Sequence, residues 1–339
     1  MQQNIANIYA HLQDDISREV FSNRLLYNLT QDKRYLFNIV KSSCVFDKIC
    51  EILRKIEKKV IVFGAGEWGR MFYELFHEYT EILFFVDNYR TGEIFDLEIK
   101  PVESLLMREN DFVIFVCSWK YHNEQMKQLS DLGFAKEQMM DLLQIMNLEI
   151  GQRQYFDLPE LWKGAEEIFI DGGAYNGATS LRFKNWCGLN FKKTYIFEPE
   201  YLNYLMCLDN AGKKLGTEEF EAYNIGLANE KNTLYFESNK DSSRISQTGG
   251  QKIEVDTLDH LVSDKVTFIK LDVEGAECLA LEGAKNLIRQ YKPKLAISLY
   301  HKPEDIWEIP LLILKLNPEY KFYIRHYTLL ELETVLYAI

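Results

Sequence analysis

The sequence has few cysteines, and they form no pattern. Six cysteines among 339 residues include no CxxC pair and no Cys/His cluster at metal-ligand spacing. A zinc ribbon and a dense disulfide framework are therefore excluded. We predict reduced thiols in a cytoplasmic protein that binds no metal.

Long apolar stretches and an excess of positive charge are also missing. No window reaches the roughly 18 consecutive apolar residues of a membrane span, and the first residues lack the basic and apolar regions of an export signal. Lys and Arg number 39 against 51 Asp and Glu, a net charge of -12, which disfavours binding to nucleic acid or to an anionic membrane. We expect a small molecule or a glycan as the substrate. A homodimer is compatible with the sequence.

The chain has the length and composition of a folded protein with more than one domain. Hydrophobic residues make up 47% and charged residues 27% of its positions, which is typical of a globular protein. At roughly 150 residues per domain, the length corresponds to about two domains. The spacing of apolar residues predicts a helical segment at 1–58, followed by two stretches of alternating strands and helices at 59–148 and 149–339.

Both of these stretches indicate the α/β class. The first is predicted to be a small Rossmann-like domain with strands beginning near Lys59, Ile82 and Phe112. The second has predicted main-sheet strands at Ile168–Asp171, Thr194–Phe197, Phe220–Asn224, Val266–Asp272, Leu295–Tyr300, Phe322–His326 and Val335–Ile339. The connector between the last two is too short for a helical crossover, so they should pair antiparallel. A mostly parallel Rossmann-like sheet with one antiparallel C-terminal strand is the class I methyltransferase sheet.

A glycine-rich turn follows the first strand of the smaller domain. Gly64, Gly66 and Gly69 stand in G-x-G-x-x-G spacing between a strand and a helix, and Asp87 ends the next strand. Glycines at this spacing permit a tight turn and a close approach of phosphate to the backbone, while the acid can accept from ribose hydroxyls. The turn either binds a nucleotide or a nucleotide sugar, or serves only to pack the β-α unit.

A second glycine turn opens the C-terminal domain. A strand ends at Asp171, Gly173 and Gly177 follow before a helix, and Glu198 closes the next strand. The helix N-terminus presents free N–H groups, and the acid is placed to bind both ribose hydroxyls of a nucleoside. The pattern favours a nucleoside cofactor; a second NAD site or simple helix capping are the alternatives.

Four passages resemble the FkbM family of S-adenosylmethionine-dependent methyltransferases, which mostly methylate hydroxyl oxygens of sugars and natural products. The passages are FIDGGAYNG, FEPE, VDTLDHL and FIKLDVEGAECLALEGA, within about Glu166 to Tyr327. One departure is Gly172, where the family usually carries an apolar residue. The resemblance implies S-adenosylmethionine as cofactor. It implies that the cofactor is bound by Asp171, Gly173, Ala174, Asn176, Gly177, Glu198, Asn224 and Asp272.

A hydroxyl acceptor needs help in losing its proton, so a base is expected near the methyl group. Asp272, Glu274 and His301 are the candidates, all after strands whose carboxyl ends meet at one edge of the sheet. The imidazole of His301 suits proton removal because its ordinary pKa is near neutrality, although the residue could instead cap the following helix. Lys270 lies within a buried strand and should pair with a carboxylate, Asp272 being one possibility.

We therefore predict a cytoplasmic S-adenosylmethionine-dependent O-methyltransferase acting on a hydroxyl of a sugar, a glycan or a sugar-containing metabolite, as in polysaccharide biosynthesis. The alternatives are an NAD(P)-dependent sugar oxidoreductase that uses Gly64, Gly66, Gly69 and Asp87, and a non-catalytic nucleotide-sugar-binding protein. The polar loop Ser238–Gly250 is typical of a flap over a polar substrate, or of a plain surface loop.

Overall fold

The structure is a computed structural model that describes residues 2–56, 58–107, 111–239, 242–246 and 251–339. The chain forms two compact units. The larger unit comprises the chain up to Ile39 together with Tyr155–His326 and Leu330–Ile339, and the smaller unit comprises Val40–Gln154 and Tyr327–Leu329. Among the residues described, no helix has both the length and the apolar character needed to cross a membrane.

The chain begins with helices, as the sequence predicts. Their bounds are α1 (Gln2–His11), α2 (Asp15–Thr30), α3 (Lys33–Lys41) and α4 (Cys44–Lys55). Asp14 starts α2 because its carboxylate accepts a hydrogen bond from the Ser17 N–H. The Ser17 hydroxyl in turn accepts from the Ile324 N–H near the C-terminus. The predicted segment 1–58 is thus divided between the units, since its first two helices pack on the sheet of the larger one.

The smaller unit is a six-stranded sheet with helices. Its elements are β1 (Lys59–Phe63), α5 (Glu67–Phe76), β2 (Ile82–Val86), β3 (Gly92–Ile94), β4 (Leu97–Lys100), β5 (Phe112–Val116), α6 (His122–Asp131), β6 (Met139–Asp141) and α7 (Leu142–Arg153). The strand order is β3-β4-β2-β1-β5-β6. The three long apolar runs are confirmed as β1, β2 and β5. The three others have only three or four residues each, too few to show an alternating pattern.

The larger unit continues from Tyr155 with the second α/β alternation. Its elements are β7 (Glu167–Gly172), α8 (Ala178–Cys187), β8 (Phe191–Phe197), α9 (Tyr201–Lys214), β9 (Phe220–Tyr223), β10 (Gly226–Leu227), β11 (Asn232–Asn239), β12 (Ser242–Ser246), β13 (Gln251–Asp256), α10 (Leu258–Leu261), β14 (Phe268–Leu271), α11 (Glu277–Glu282), α12 (Lys285–Tyr291), β15 (Lys294–Ser298), α13 (Asp305–Leu316), β16 (Phe322–His326) and β17 (Thr334–Ala338).

The main sheet of this unit confirms the predicted class I methyltransferase topology. Its order is β16-β17-β15-β14-β7-β8-β9, and β17 runs antiparallel to both of its neighbours while the other pairings are parallel. After β7 the chain adds β8 and β9 on one side of that strand. It later returns to place β14, and then β15, on the other side of β7. Ligands of open α/β sheets bind at this switch point, beyond the carboxyl ends of the strands. Gly172 pairs with Leu271 there.

A second, small sheet has the strand order β10-β13-β11-β12. Its strands lie between β9 and β14 in the chain. Part of the predicted polar loop Ser238–Gly250 is a strand, because β12 pairs antiparallel with β11. The rest of that loop, residues 240–241 and 247–250, lies outside the described residues. The flap therefore stays a prediction.

Candidate active site

The turn after β7 is shaped by glycines that no other residue can replace without strain. Gly173 has φ +72°, and a Cβ built on it would lie 1.8 Å from the carbonyl oxygen of Asp272. Gly177 has φ +75° and begins α8. The backbone of the turn is therefore pressed against the end of β14. Nζ of Lys270 donates to the carbonyl oxygen of Gly173 at 2.7 Å and to that of Gly172 at 3.1 Å.

Asp171 supports this turn from inside the protein and is not among the described residues that line the cavity beside it. Its carboxylate is fully buried and accepts from the Ser180 hydroxyl at 2.8 Å. Its other oxygen lies 3.3 Å from Nζ of Lys270. Burial alone would lower the pKa of Lys270, but the carboxylates of Asp171, Asp272 and Glu198 together outweigh burial and raise that pKa. Lys270 thus pairs with a carboxylate as predicted, and its direct partner is Asp171.

A cavity of about 610 Å³ opens at the carboxyl ends of the strands in the larger unit. Its described lining consists of Gly173, Tyr175, Phe197, Glu198, Pro199, Glu200, Asn203, Ile225, Gly226, Leu227, Ile253, Val255, Asp272, Val273, Glu274, Ala276, Tyr300 and Glu333. The volume lies within the range of roughly 300–1,000 Å³ that is usual for cofactor and ligand sites. Three of the predicted cofactor residues are in it, namely Gly173, Glu198 and Asp272.

The carboxylate of Glu198 is oriented by the backbone. It accepts hydrogen bonds from the N–H groups of Tyr175 at 2.8 Å and Glu200 at 2.9 Å, one on each oxygen. Burial raises its pKa, although these two hydrogen bonds oppose the rise. Each oxygen keeps a lone pair for a further donor. Glu198 can therefore receive hydroxyl groups of a ribose from inside the cavity.

The other predicted cofactor residues shape the loops around the cavity. Ala174 is buried against α9, and the side-chain oxygen of Asn176 accepts from the Ala178 N–H at 3.0 Å. Gly177 packs against Cys207. Nδ2 of Asn224 donates to the carbonyl oxygens of Glu198 and Pro199, each at 2.9 Å. These residues therefore hold the backbone of the loops beside the cavity.

Asp272 lies at the floor of the cavity, directly after β14. Its two carboxylate oxygens accept from the hydroxyls of Tyr300 at 2.9 Å and Tyr155 at 3.1 Å. Burial alone would raise its pKa, but Lys270, His301 and the hydrogen bonds to the carboxylate together outweigh burial and lower that pKa. Asp272 is therefore an ionised, oriented acceptor. The two tyrosines were missed in the sequence because a single tyrosine carries no spacing signal.

His301 is surrounded by carboxylates. Its Nδ1 lies 2.9 Å from Oε1 of the fully buried Glu277, and its Nε2 lies 3.6 Å from Asp272 and 3.7 Å from Glu274. Burial would lower the pKa of the imidazole, but these carboxylates, with Glu277 first, raise it to about 9. His301 is therefore a cation at neutral pH, which differs from the near-neutral base assumed from the sequence. It does not cap α13 either, whose N-cap is Glu304.

Glu274 has the properties of a base. It lines the cavity, 53% of its side chain is exposed, and its backbone is in the left-handed region with φ +54°. Burial of its carboxyl group raises its pKa, and the His301 cation opposes that rise. A carboxylate with a raised pKa accepts a proton more readily than an ordinary one.

Three side chains could together contact one metal ion: a possible ligand atom of each lies within 4.8 Å of those of the other two, in Asp272, Glu277 and His301. Such spacing is also found at metal sites. Here the group already carries its own positive charge on His301. That the protein binds no metal therefore remains a prediction from the sequence.

A family model described as the methyltransferase FkbM domain matches residues 171–327. This chain carries an FkbM methyltransferase domain. The match spans the glycine turn after β7, Glu198, Asp272 and His301. A domain of this family implies S-adenosylmethionine as the cofactor.

Among solved structures, one FkbM methyltransferase is similar to this chain at the level of fold, and two further matches have low structural similarity. The methyltransferase FkbM from Methylobacillus flagellatus KT is 19% identical, with 96% of this chain and 99% of that chain covered and a TM-score of 0.53. An S-adenosylmethionine-dependent methyltransferase from Aquifex aeolicus is 15% identical over 52% of this chain and 84% of its own, with a TM-score of 0.30. The CMeT domain of the citrinin polyketide synthase is 13% identical over 100% and 97%, with a TM-score of 0.31. No curated protein sequence matches the chain.

The cavity of the FkbM domain fits S-adenosylmethionine chemically. Glu198 would hold the ribose, and an apolar wall of Ile225, Leu227 and Val255 suits the adenine. Gly173 lets the turn lie directly against the end of β14, because any side chain there would collide with the carbonyl oxygen of Asp272. The apolar wall was not predicted residue by residue, because an isolated isoleucine or valine in a sequence indicates only core packing.

The first glycine turn lies in the smaller unit. A Cβ on Gly64 would lie 2.6 Å from the carbonyl oxygen of Cys117, the residue after β5. A Cβ on Gly69 would lie 1.8 Å from the carbonyl oxygen of Gly64. Both glycines therefore allow close packing. Asp87 accepts from the N–H groups of Ala65, Tyr89 and Arg90. Its carboxylate therefore stabilises the turn, which differs from the ribose-binding role expected in a dinucleotide site.

Proposed function

We propose that this FkbM methyltransferase transfers a methyl group to a hydroxyl of a sugar, a glycan or a sugar-containing metabolite. The observation that carries the proposal is the group of carboxylates on the cavity wall, with Glu274 positioned as a base beside Asp272 and His301. When bound, S-adenosylmethionine supplies an electrophilic methyl group and a neutral thioether leaving group.

The side chains divide the remaining work. Glu274 accepts the hydroxyl proton, because its pKa is raised and its side chain is accessible from the cavity. Asp272 stays ionised and is held by Tyr155 and Tyr300, so it can orient an acceptor through a hydrogen bond. The His301 cation keeps both carboxylates close together despite their like charges.

The charge of the cavity supports a neutral, hydroxyl-rich acceptor. The described lining contains five acidic side chains, Glu198, Glu200, Asp272, Glu274 and Glu333, and no Lys or Arg among its described residues. Carboxylates accept hydrogen bonds from sugar hydroxyls and repel phosphate or carboxylate groups. An anionic acceptor is therefore disfavoured, while amines remain a competing class that the experiment must separate.

The cysteines support the cellular setting that we propose. All six cysteines are free, as expected in a reducing compartment. We accordingly place the reaction in the cytoplasm, in the synthesis of a polysaccharide or of a related sugar metabolite.

The test is transfer of a labelled methyl group to a panel of neutral oligosaccharides, amines and carboxylates. We expect a base-stable methyl ether on a neutral sugar. Glu274→Gln should lower kcat by about 100-fold or more without changing the affinity for S-adenosylhomocysteine. The exposed Glu230→Gln is the matched control and should leave both unchanged.

Two outcomes would contradict the proposal. Labelling confined to amines or carboxylates would overturn the hydroxyl assignment. Cofactor binding without transfer to any acceptor would favour the non-catalytic alternative.

A further inference from the structure

The smaller unit contains a cavity of its own, with a volume of about 380 Å³. It lies beyond the carboxyl ends of β1, β2 and β5 and is bordered by the glycine turn at Gly64 and Gly66. This is the edge at which open α/β sheets bind ligands. The FkbM domain match at 171–327 does not include it.

Aromatic side chains form one wall of this cavity. The rings of Trp68 and Trp119 have centroids 5.5 Å apart and an angle of 38° between their planes. Trp119 is 59% exposed and the neighbouring Tyr121 is 48% exposed. Exposed aromatic faces beside a cavity offer stacking surfaces for a planar base or a sugar ring.

The N-terminus of α5 forms a second wall. Gly66 is its N-cap and supplies no side chain to the free N–H groups of this ten-residue helix. A Cβ built on Gly66 would meet nothing within 4 Å, so the space over the helix end is open. Helix N-termini with such space bind phosphate. The described lining carries three acids, Glu67, Asp87 and Glu124, against Arg90 and Lys120, so phosphate recognition rests on the helix end and these two cations.

Gln125 provides an independent sign of a ligand. The residue lines the cavity, only 8% of it is exposed, and its Oε1 is buried without a hydrogen-bond partner among the described residues. A buried acceptor left unsatisfied is destabilising. Because the residue borders the cavity, a donor group of a ligand there would satisfy this acceptor.

The hydrogen bonds of the Asp87 carboxylate bear on which class of nucleotide this cavity binds. Dinucleotide sites use an acid at this position to hold the adenosine ribose. Here the carboxylate already accepts three backbone N–H hydrogen bonds, from Ala65, Tyr89 and Arg90. Three of its roughly four acceptor positions are thus taken, whereas two remain on Glu198, so Asp87 is less able to accept from both ribose hydroxyls of NAD. The helix end and the aromatic wall are left as the main recognition elements.

We propose that this cavity binds a nucleoside diphosphate group, as carried by a nucleotide-linked sugar. The base stacks against Trp119 and Tyr121, the phosphates lie over Gly66 at the N-terminus of α5, and Gln125 accepts from a donor on the base or ribose. The proposal does not depend on the methyl-transfer reaction, because it concerns residues of the smaller unit alone.

The experiment is calorimetry with the full chain, using uridine, guanosine and adenosine diphosphates and NAD separately as probes. We expect at least one diphosphate to bind with 1:1 stoichiometry and to quench tryptophan fluorescence. NAD should bind at least tenfold more weakly. S-adenosylhomocysteine is titrated in parallel, so that failure of this site and failure of the methyltransferase assignment are distinguishable.

Two variants test the mechanism of binding. Gly66→Val places a side chain in the open space at a β-region backbone that tolerates it, and should weaken diphosphate binding at least tenfold with no change in S-adenosylhomocysteine affinity. Gly151→Ala, also a glycine with open space and in the same unit, is the control and should bind normally. Gln125→Leu should weaken diphosphate binding while leaving Tm equal or higher, because it removes an unsatisfied buried acceptor.

Absence of binding by every diphosphate at millimolar concentration would overturn the proposal. So would tighter binding of NAD, or an unchanged affinity in Gly66→Val.

Discussion

Nδ1 of His301 lies 2.9 Å from Oε1 of Glu277, whose side chain is fully buried at the start of α11. This contact is the first of the charge interactions that raise the pKa of His301 to about 9, against the effect of burial. It also fixes the ring so that Nε2 faces Asp272 and Glu274. A group whose pKa is raised in the folded state stabilises the fold while it is protonated.

The pair should therefore make stability depend on pH in a defined window. Its stabilisation is fully present below the ordinary histidine pKa of 6.5 and is lost as the pH rises through about 9. Glu277→Gln should lower the pKa of His301 by more than one unit and lower stability at pH 7 by about 1–3 kcal/mol. The difference from the parent protein should shrink by pH 10.

Histidine NMR titration together with urea denaturation at pH 6, 8 and 10 measures both effects. Glu282→Gln, an exposed acid at the end of the same helix, is the control. An unchanged His301 titration in Glu277→Gln would contradict the account.

The same cluster leads to a prediction about metals. A protonated His301 cannot be a ligand, so a cation would have to displace a proton held with a pKa of about 9. We expect protein dialysed against a chelator to retain full S-adenosylhomocysteine affinity and full methyl transfer. Elemental analysis and activity with and without Mg²⁺ or Mn²⁺ provide the check. Loss of transfer that either ion restores would show that the cluster binds a metal.

The buried pair of Lys270 and Asp171 should link stability to cofactor binding. Lys270→Met leaves the Asp171 carboxylate uncompensated and removes the hydrogen bonds that hold the turn at Gly173. Removing one partner of a buried pair costs about 3–5 kcal/mol. We expect a loss of that size in urea denaturation, and a tenfold or greater loss of S-adenosylhomocysteine affinity in the protein that remains folded.

Lys294→Met is the matched comparison. Lys294 is equally buried and pairs with Glu167 at 2.9 Å, but at the amino ends of the strands, away from the cavity. It should reduce stability similarly and leave affinity unchanged. Equal losses of affinity in both variants would mean that Lys270 does not act through the glycine turn.

The features that could be predicted from the sequence depend on residues that are close together in the chain. The glycine spacing around Gly173 and the acid Glu198 at a strand end are each recognised within a short stretch of sequence. The short connector before β17 determines its antiparallel pairing. These features predicted the sheet and two of the residues that line the cavity, Gly173 and Glu198.

What the sequence did not reveal depends on pairing between distant residues. Asp171 stands beside Lys270 only because β7 and β14 are neighbours in this register, and a motif alone does not show that its carboxylate faces inward. The charge of His301 depends on Glu277, which belongs to a different element and was not among the candidate site residues. The role of Asp87 likewise depends on three N–H groups that the folded turn directs at it.

Calorimetric titration of S-adenosylhomocysteine into the parent chain, Glu198→Ala and Glu230→Ala tests the central claim most directly. The buried carboxylate of Glu198 lines the cavity and Glu230 is exposed on the surface. We predict one site per chain, an affinity at least tenfold weaker in Glu198→Ala, and no change in Glu230→Ala. No binding to the parent chain, or equal affinity in Glu198→Ala, would contradict the assignment of this cavity as the cofactor site.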